Sequence, residues 1–527
     1  MAISTERNTH LLANWKVILI CLTMSLAVCQ WSFDNATMAG FQAIVGFLEV
    51  FGHPDPTTPT GWNLDTRDQQ LIASTLNIGI ILGQCLTGVF ASVFGRRPAI
   101  WLASCIAFVG IGIQIGATSI SVLCVGRVLV GMSNAFFFTF TNIYCVEATP
   151  AHLRAVISSL FAVWVGIGAI VGTTLDNYAA TWPGKQSYQT PLAALYAIPA
   201  VVSVLVVFIP ESPRWLLVQN RPAEAEVALR KLRGDTLEAE AFAEELTEMT
   251  TGIAEEKALA RSAAFWGLFR GTDLRRTIIT IGVVLSRSAS GANVFVGYMT
   301  YYFQIAGVDD PFKVSIYYCV SSLVGVFIGM YLMYKHFGRR SMMLTGTAAA
   351  GLCMFGAALA DTIKPGSSES AKTMAGLVIV QAFMYSCFAV TLSWPLSSEI
   401  PSSRLRVLTV SLAQGIDSFF AWLIAFCTPY FINSTALNWG FKYMWIWAVS
   451  NAITFVFFYI MLPEVKGRSL EEIDELFQKR VSISDFPHYE CVSSTRAHDM
   501  VMQEARKGEN GTQIHVQVES VEKVVDA

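Results

Sequence analysis

Twelve stretches of predominantly apolar residues punctuate this chain, each long enough to cross a hydrocarbon layer about 30 Å thick as a helix. They fall near 15–46, 68–91, 98–118, 121–145, 156–180 and 191–209, then near 277–304, 313–334, 341–361, 373–397, 407–432 and 441–462. Lipid offers a backbone no hydrogen bonds, so such segments must close their own. The expected fold is an all-α polytopic membrane protein with twelve transmembrane helices in two six-helix bundles. Composition agrees, since only 14% of the 527 residues are charged, against about 25% in soluble domains. A net charge of −3 spreads no basic field, and no nucleic-acid partner is expected. Most of the 11 cysteines fall inside apolar runs without CxxC or Cys/His spacing, and the seven histidines form no ligand constellation. No metal, cofactor or disulfide is therefore expected, and nothing points to an enzyme.

The first residues, MAISTERNTHLLANW, carry no basic n-region or cleavage site. Residues 1–14 are read as a cytosolic tail, 15–209 as one six-helix bundle, 210–276 as a helical cytosolic linker, 277–463 as a second bundle and 464–527 as a cytosolic tail. Basic residues gather at Arg96-Arg97, Arg154, the linker, Lys335 with Arg339-Arg340, and Arg404 with Arg406. By the positive-inside rule both termini are expected in the cytosol.

The halves repeat. Gly95-Arg96-Arg97 returns as Gly338-Arg339-Arg340, Glu147 with Arg154 returns as Glu399 with Arg406, and Pro210-Glu211 returns as Pro463-Glu464, at offsets of 243, 252 and 253. Three matched motifs at nearly one offset indicate a duplicated unit, the organisation that lets two bundles rock around a midplane site.

At these residues the chain resembles the sugar porter family of the major facilitator superfamily. The carrying motifs are PESPRWL (210–216), GRVLVG (126–131), YCVEATPAHLR (144–154), FGRR at 94–97 and 337–340, and PEVKGRSLEEIDELF (463–477). Within the family, GYMTYYFQIAG (297–307), EIPSSRLR (399–406) and CTPYFIN (427–433) look most like fungal maltose and α-glucoside permeases, which are proton symporters. The resemblance implies a secondary transporter working by alternating access, proton-coupled, carrying a sugar or glycoside across the plasma membrane as a monomer in the lipid bilayer. A non-sugar metabolite, an organic acid or a fungal secondary product, moved inward or outward, is the alternative within transport. A transporter-like receptor is the alternative of another class.

Repeated carboxylates and guanidiniums at the inner helix ends suit a cytosolic gate held by charge-assisted contacts. The resemblance implies Arg96, Glu147, Arg154, Glu211 and Arg214 for one half, and Arg339, Glu399, Arg406 and Glu464 for the other. Acidic residues that usually precede the glycine–arginine pairs are replaced by Ser92 and Lys335. Inside the membrane, Asp34 lies about 28 Å along the first helix from Trp15, and Arg127 about 9 Å into the fourth. Such a pair is either a static ion pair or a proton-coupling element, and the resemblance implies coupling.

Arg287 is the anomaly, a permanent cation roughly 16 Å into the seventh apolar run, near mid-depth. The resemblance places Arg287 and Ser288 where sugar-binding glutamines stand in the family, and Ala162 and Ala169 where two more would stand on the fifth helix. Gly291 and Asn293 match the family, Trp394 matches its stacking aromatic, and Asp417 falls at or beside a polar asparagine. The expected substrate-binding set is Arg287, Ser288, Asn293, Tyr298, Trp394 and Asp417. A buried guanidinium demands an acceptor, which is either Asp417 or an anionic or strongly hydrogen-bonding substrate. Of the glycosylation sequons, only Asn433-Ser434-Thr435 falls on the outer side, making Asn433 the candidate acceptor.

Overall fold

Among the described residues of the computed structural model, twelve helices are long and apolar enough to span a membrane. The structure describes residues 15–489 except 57–59, 150–152, 234–241, 254–264 and the isolated positions 243, 244, 248, 252, 306, 336, 366, 403, 434, 467, 469, 484 and 488. In the first set are α1 (Trp15–Phe41), α2 (Thr66–Val93), α3 (Arg96–Gly116), α4 (Ile120–Ala148) and α5 (Arg154–Ala179), then α6 as α6a (Gln186–Ala194) and α6b (Ala197–Phe208). In the second are α7 as α7a (Gly271–Ala289) and α7b (Ala292–Ile305), α8 (Pro311–Lys335) and α9 (Arg339–Ile363). Then come α10 as α10a (Ser368–Tyr385) and α10b (Thr391–Glu399), α11 (Arg406–Ile432) and α12 (Met444–Met461).

Helices pack mainly within their own set: α1 on α5, α2 on α4 and α3 on α4 in the first bundle, and α9 on α12, α9 on α10a and α7a on α11 in the second. Between bundles α2 lies against α11, α5 against α8, and α7b against α1. The first two contacts exchange under the six-helix duplication, α2 corresponding to α8 and α5 to α11, so the internal repeat is also the symmetry of the interface. Each bundle has its own apolar core, around Val28, Phe137 and Phe140 in the first and Phe295, Met354 and Met374 in the second.

The first apolar run, read as 15–46, ends as a helix at Phe41 and resumes as a separate short helix, Val45–Phe51. Aromatic packing explains the turn. Phe41 and Phe47 both pack on Tyr188 of α6a, at 6.2 and 5.6 Å between ring centroids, which a straight helix would not allow.

Three spans are interrupted. In α7 the interruption falls at Ser290-Gly291, where Gly291 has φ +83° and an added Cβ would stand 2.7 Å from the Trp447 ring. Both facts require glycine. The freed backbone is satisfied locally: Ser290 Oγ donates to the Arg287 carbonyl at 2.7 Å, and Asn451 Nδ2 donates to the Ser290 carbonyl at 3.2 Å. A wider turn at Ser386–Val390 divides α10, and Thr391 Oγ1 donates back to the Ser386 carbonyl at 2.8 Å. Pro191 within α6a and Pro199 in the first turn of α6b accompany the third break.

Between the bundles run the short helices Pro213–Val218 and Pro222–Arg233. Ser212 caps the former, accepting from the Trp215 amide. The latter is amphipathic, burying Ala225, Ala228, Leu229 and Leu232 while Glu226 pairs with Arg230 on its exposed face. The described residues up to Leu462 form one compact unit and those from Pro463 onward a second. In the second, a helix spans Leu470–Gln478, and Arg468 donates to the carbonyls of Phe486, Pro487 and Tyr489.

Candidate substrate and coupling site

The two intramembrane charges of the first bundle meet. Arg127 of α4 donates from Nη1 to Asp34 Oδ2 of α1 at 2.8 Å, with side-chain exposures of 2% and 0%. Nε of Arg127 donates to the Ile72 carbonyl of α2 at 3.2 Å. The other oxygen, Asp34 Oδ1, is buried and accepts no hydrogen bond among the described residues. A carboxylate so placed depends on one guanidinium for its charge compensation.

In the second bundle Arg287 projects from α7a, two residues before the helix ends. Its Nη2 donates to Asp417 Oδ2 of α11 at 2.8 Å and to Gln414 Oε1 at 2.9 Å, and the guanidinium stacks 4.3 Å from the centre of the Trp394 ring. Ser288 Oγ donates to the other carboxylate oxygen, Asp417 Oδ1, at 2.7 Å, and Asn293 Nδ2 donates to Ser288 Oγ at 3.1 Å. Five of the six expected substrate-site residues thus form one connected network, and of the two acceptors open to Arg287 the one it contacts is Asp417. Trp394 also packs on Phe138 of α4, with centroids 5.2 Å apart, so this network touches the opposite bundle.

Tyr298, the sixth, stands apart. It is fully buried, and its hydroxyl donates to the Ala425 carbonyl of α11 at 2.7 Å, with the Gln69 carbonyl of α2 at 3.3 Å. Its one proton is committed to the backbone, and its role here is to join bundles.

Between the bundles lies a cavity that the sequence motifs did not mark. Trp31, Asn35, Met38 and Gln42 line it from α1 and the turn after it; Ala73 and Asn77 line it from α2, and Arg127 from α4. Asn293, Val296 and Gly297 of α7b face them, with Ala421 and Ala425 of α11. Arg127, the partner of Asp34, and Asn293 therefore border one space. The signal for Trp31, Asn35 and Gln42 was present as polar and aromatic residues at helical spacing in an apolar run, but Asn35 reads first as part of an Asn-Ala-Thr sequon.

At the end of the bundles where α1 begins, the repeated charges pair within each half. Arg96 Nε and Nη2 donate to both oxygens of Glu147, at 3.0 and 2.7 Å. Glu211 accepts from the backbone amides of Arg96 and Arg97 at 3.1 and 3.2 Å, a carboxylate on the N-terminus of α3. In the second half Arg339 donates to Glu399 at 2.8 Å. The second arginine of each motif acts differently. Arg97 donates to the carbonyls of Val206 and Val207 in the last turn of α6b, and Arg340 to that of Tyr459 in the last turn of α12. Arg214 lies within the helix Pro213–Val218 and Arg406 opens α11. The side chain of Arg154 lies outside the described residues. Glu464, in the 463–527 unit, accepts from the Lys466 amide at 3.0 Å.

At the opposite end, Asn433 corrects an expectation. It is 5% exposed, its Nδ2 donates to Thr66 Oγ1 at 2.9 Å and Gln69 Oε1 at 2.8 Å, and its Oδ1 accepts from the Tyr301 hydroxyl at 3.0 Å. Both hydrogens of the nitrogen a glycan needs are used, and the surrounding helices leave no room for a sugar chain. Asn433 is a clasp between α2 and the second bundle, not an available acceptor.

The family described as "Sugar (and other) transporter" matches residues 20–477. Hexose transporter HXT10 of Saccharomyces cerevisiae is 25% identical over 484 residues, 89% of this chain and 87% of that protein. The galactose transporter of the same yeast is 27% identical over 478 residues, 88% and 82%. Among solved structures, the inward-open xylose transporter XylE from E. coli superposes with a TM-score of 0.70 at 21% identity, covering 87% of this chain and 99% of that one. The proton:xylose symporter XylE bound to 6-bromo-6-deoxy-D-glucose gives 0.69 at 20% identity, covering 88% and 99%. The likeness to XylE is one of fold, that of the major facilitator superfamily. A narrower kinship with α-glucoside permeases draws no support from these relatives.

Proposed function

Because the chain belongs to the family of sugar (and other) transporters, we propose that it carries a hexose-class sugar across the plasma membrane by alternating access, coupled to a proton. The observation that carries the reading is the buried Asp34–Arg127 pair, whose arginine lines a cavity between the bundles. Arg127 is shared: it compensates Asp34 and also reaches the space where substrate would sit. When it turns toward substrate or shifts with its helix, Asp34 loses the charge partner it has among the described residues and takes a proton instead. Proton and sugar are then exchanged on the same side in one cycle. Hexose and galactose transporters among the relatives support the substrate class.

The pairing of Arg287 with Asp417 weighs against an organic acid, since the cation already has its anion. The positive-inside rule supports a cytosolic face for the end bearing Arg96, Arg97, Arg339 and Arg340, and with it the reading of both termini as cytosolic and of one chain as the transporting unit. The charged pairs at that end are then proposed as fasteners of the inward-closed state.

Uptake of labelled hexoses into proteoliposomes under an imposed pH gradient tests the reading. Wild-type protein accumulates sugar. Asp34→Asn abolishes accumulation yet keeps sugar exchange, because exchange needs no net protonation change. Undiminished accumulation by Asp34→Asn removes this residue from coupling.

A further inference from the structure

Family resemblance directs attention to α7, α10 and α11 and to α5 for substrate hydroxyls, but the polarity of the cavity points to α1 and α2. Gln42 is 1% exposed and borders the cavity, and neither its Oε1 nor its Nε2 has a hydrogen-bond partner among the described residues. A buried carboxamide with both ends open is costly unless something in the cavity both donates and accepts. A hydroxyl group does both.

Two further amides flank it. Asn35 Nδ2 donates back to the Trp31 carbonyl at 2.8 Å, and Asn77 Nδ2 to the Ala73 carbonyl at 3.4 Å. These bonds hold each amide on its own helix and leave the carbonyl oxygens as acceptors at the cavity wall. Trp31 belongs to the same stripe of α1, four residues before Asn35, and supplies a flat apolar surface suited to the C–H face of a pyranose.

The opposite wall offers little. Val296, Gly297, Ala421 and Ala425 carry no polar side-chain atom. Asn293 does, but its amide donates to Ser288, which donates to Asp417, which is paired with Arg287. This chain of donors draws the Asn293 nitrogen into the Arg287–Asp417 network and leaves the cavity its carbonyl oxygen. On α5, Ala162 and Ala169 cannot hydrogen-bond by side chain.

We propose that the first bundle holds the hydroxyls of the transported solute through Gln42, Asn35 and Asn77, with Trp31 beneath the ring. The ligand class is a neutral, polyhydroxylated ring of hexose size. The assignment rests on the sugar-transport reading and extends it: substrate is carried with the bundle that holds the coupling pair, a few side chains from Arg127.

The test is uptake of D-glucose in proteoliposomes, with its 2-, 3-, 4- and 6-deoxy derivatives as competitors, by wild type and by Gln42→Leu, Asn35→Leu and Asn77→Leu. Wild type is expected to reject at least one deoxy derivative strongly. Each variant is expected to raise the KM for D-glucose by about tenfold to a hundredfold, the loss of one or two hydrogen bonds in a buried site. Each should also stop discriminating at one ring position, which a general loss of folding does not produce. Should Gln42→Leu fail to elute as a monodisperse peak, the half-buried Asn35 and Asn77 positions carry the test. If wild type takes up glucose and all soluble variants keep its KM and its deoxy pattern, the assignment to the first bundle is overturned while sugar transport stands. If wild type takes up no hexose, the sugar reading itself falls, and this assignment with it.

Discussion

Replacing Arg287 by glutamine separates a structural ion pair from a substrate contact. The change removes a charge-assisted bond to Asp417 at 2.8 Å, a bond to Gln414 at 2.9 Å and the stacking on Trp394 at 4.3 Å. It leaves Asp417 in place with the Ser288 hydroxyl at 2.7 Å. Stranding one member of a buried pair costs about 3–5 kcal/mol. The two side chains here keep 18% and 14% exposure and Asp417 keeps one donor, so the lower end applies, about 3 kcal/mol. That is on the order of a hundredfold in the folded-to-unfolded ratio. Arg287→Gln with Asp417→Asn strands no charge, and two amides facing each other re-form a neutral bond, so most of the loss should return. Thermal stability in detergent, followed by size-exclusion yield, measures all three variants beside the wild type, and sugar selectivity is read on whatever survives. If Arg287→Gln is as stable as wild type, or if the double change is no better than either single one, the pair is not what holds α7a to α11. A double variant that is stable but switched in selectivity makes Arg287 a substrate contact after all.

Two further perturbations follow from the ends of the molecule. Glu399→Arg sets a second cation against Arg339 and should shift the balance of conformers by roughly tenfold or more, with Arg339→Glu in the same chain restoring it; silence of every single reversal in transport and in cysteine accessibility removes these residues from gating. Asn433→Leu strands Gln69 and the Tyr301 hydroxyl, and should speed labelling of a cysteine placed at Ala73 by a membrane-impermeant reagent on the order of tenfold; an endoglycosidase-sensitive mass that Thr435→Val removes shows a glycan there and sinks the clasp.

The spans and the duplication were legible because hydropathy and loop charge are written in local sequence, and local sequence is what a bilayer reads. The Asp34–Arg127 pair was legible for a related reason, as two charges at similar depth in one bundle have few other partners. The break in α7 was not. Gly291 lies inside a stretch read as one span, and what demands glycine there, besides its positive φ, is Trp447, more than 150 residues away. Nor did the duplicated arginine pairs announce two roles, since Arg96 and Arg97 differ only in which neighbour their helix phase presents. Asn433 read as a glycan acceptor because a sequon is a three-residue pattern, whereas its burial depends on Thr66 and Gln69 of α2 and Tyr301 of α7b. Gln42 was hidden by the helix end at Phe41: on a helix continued to residue 46 it would be one more polar position, and only the turn sets it on the cavity.

The bonds of Arg97 and Arg340 have a mechanical consequence. One rivets the start of α3 to the end of α6b, the other the start of α9 to the end of α12. Riveted at that end, each pair behaves as a stiff outrigger bearing against lipid, and a transport stroke cannot be absorbed there. The strain must run through the inner helices instead, where α7 is interrupted by a glycine and α10 by a wide turn. Apart from the break between α6a and α6b, a helix's length from its rivet, stiffness is thereby placed on the perimeter and compliance beside the cargo, so a substitution that loosens either rivet should blur the timing between the two doors before it harms the affinity for what passes through them.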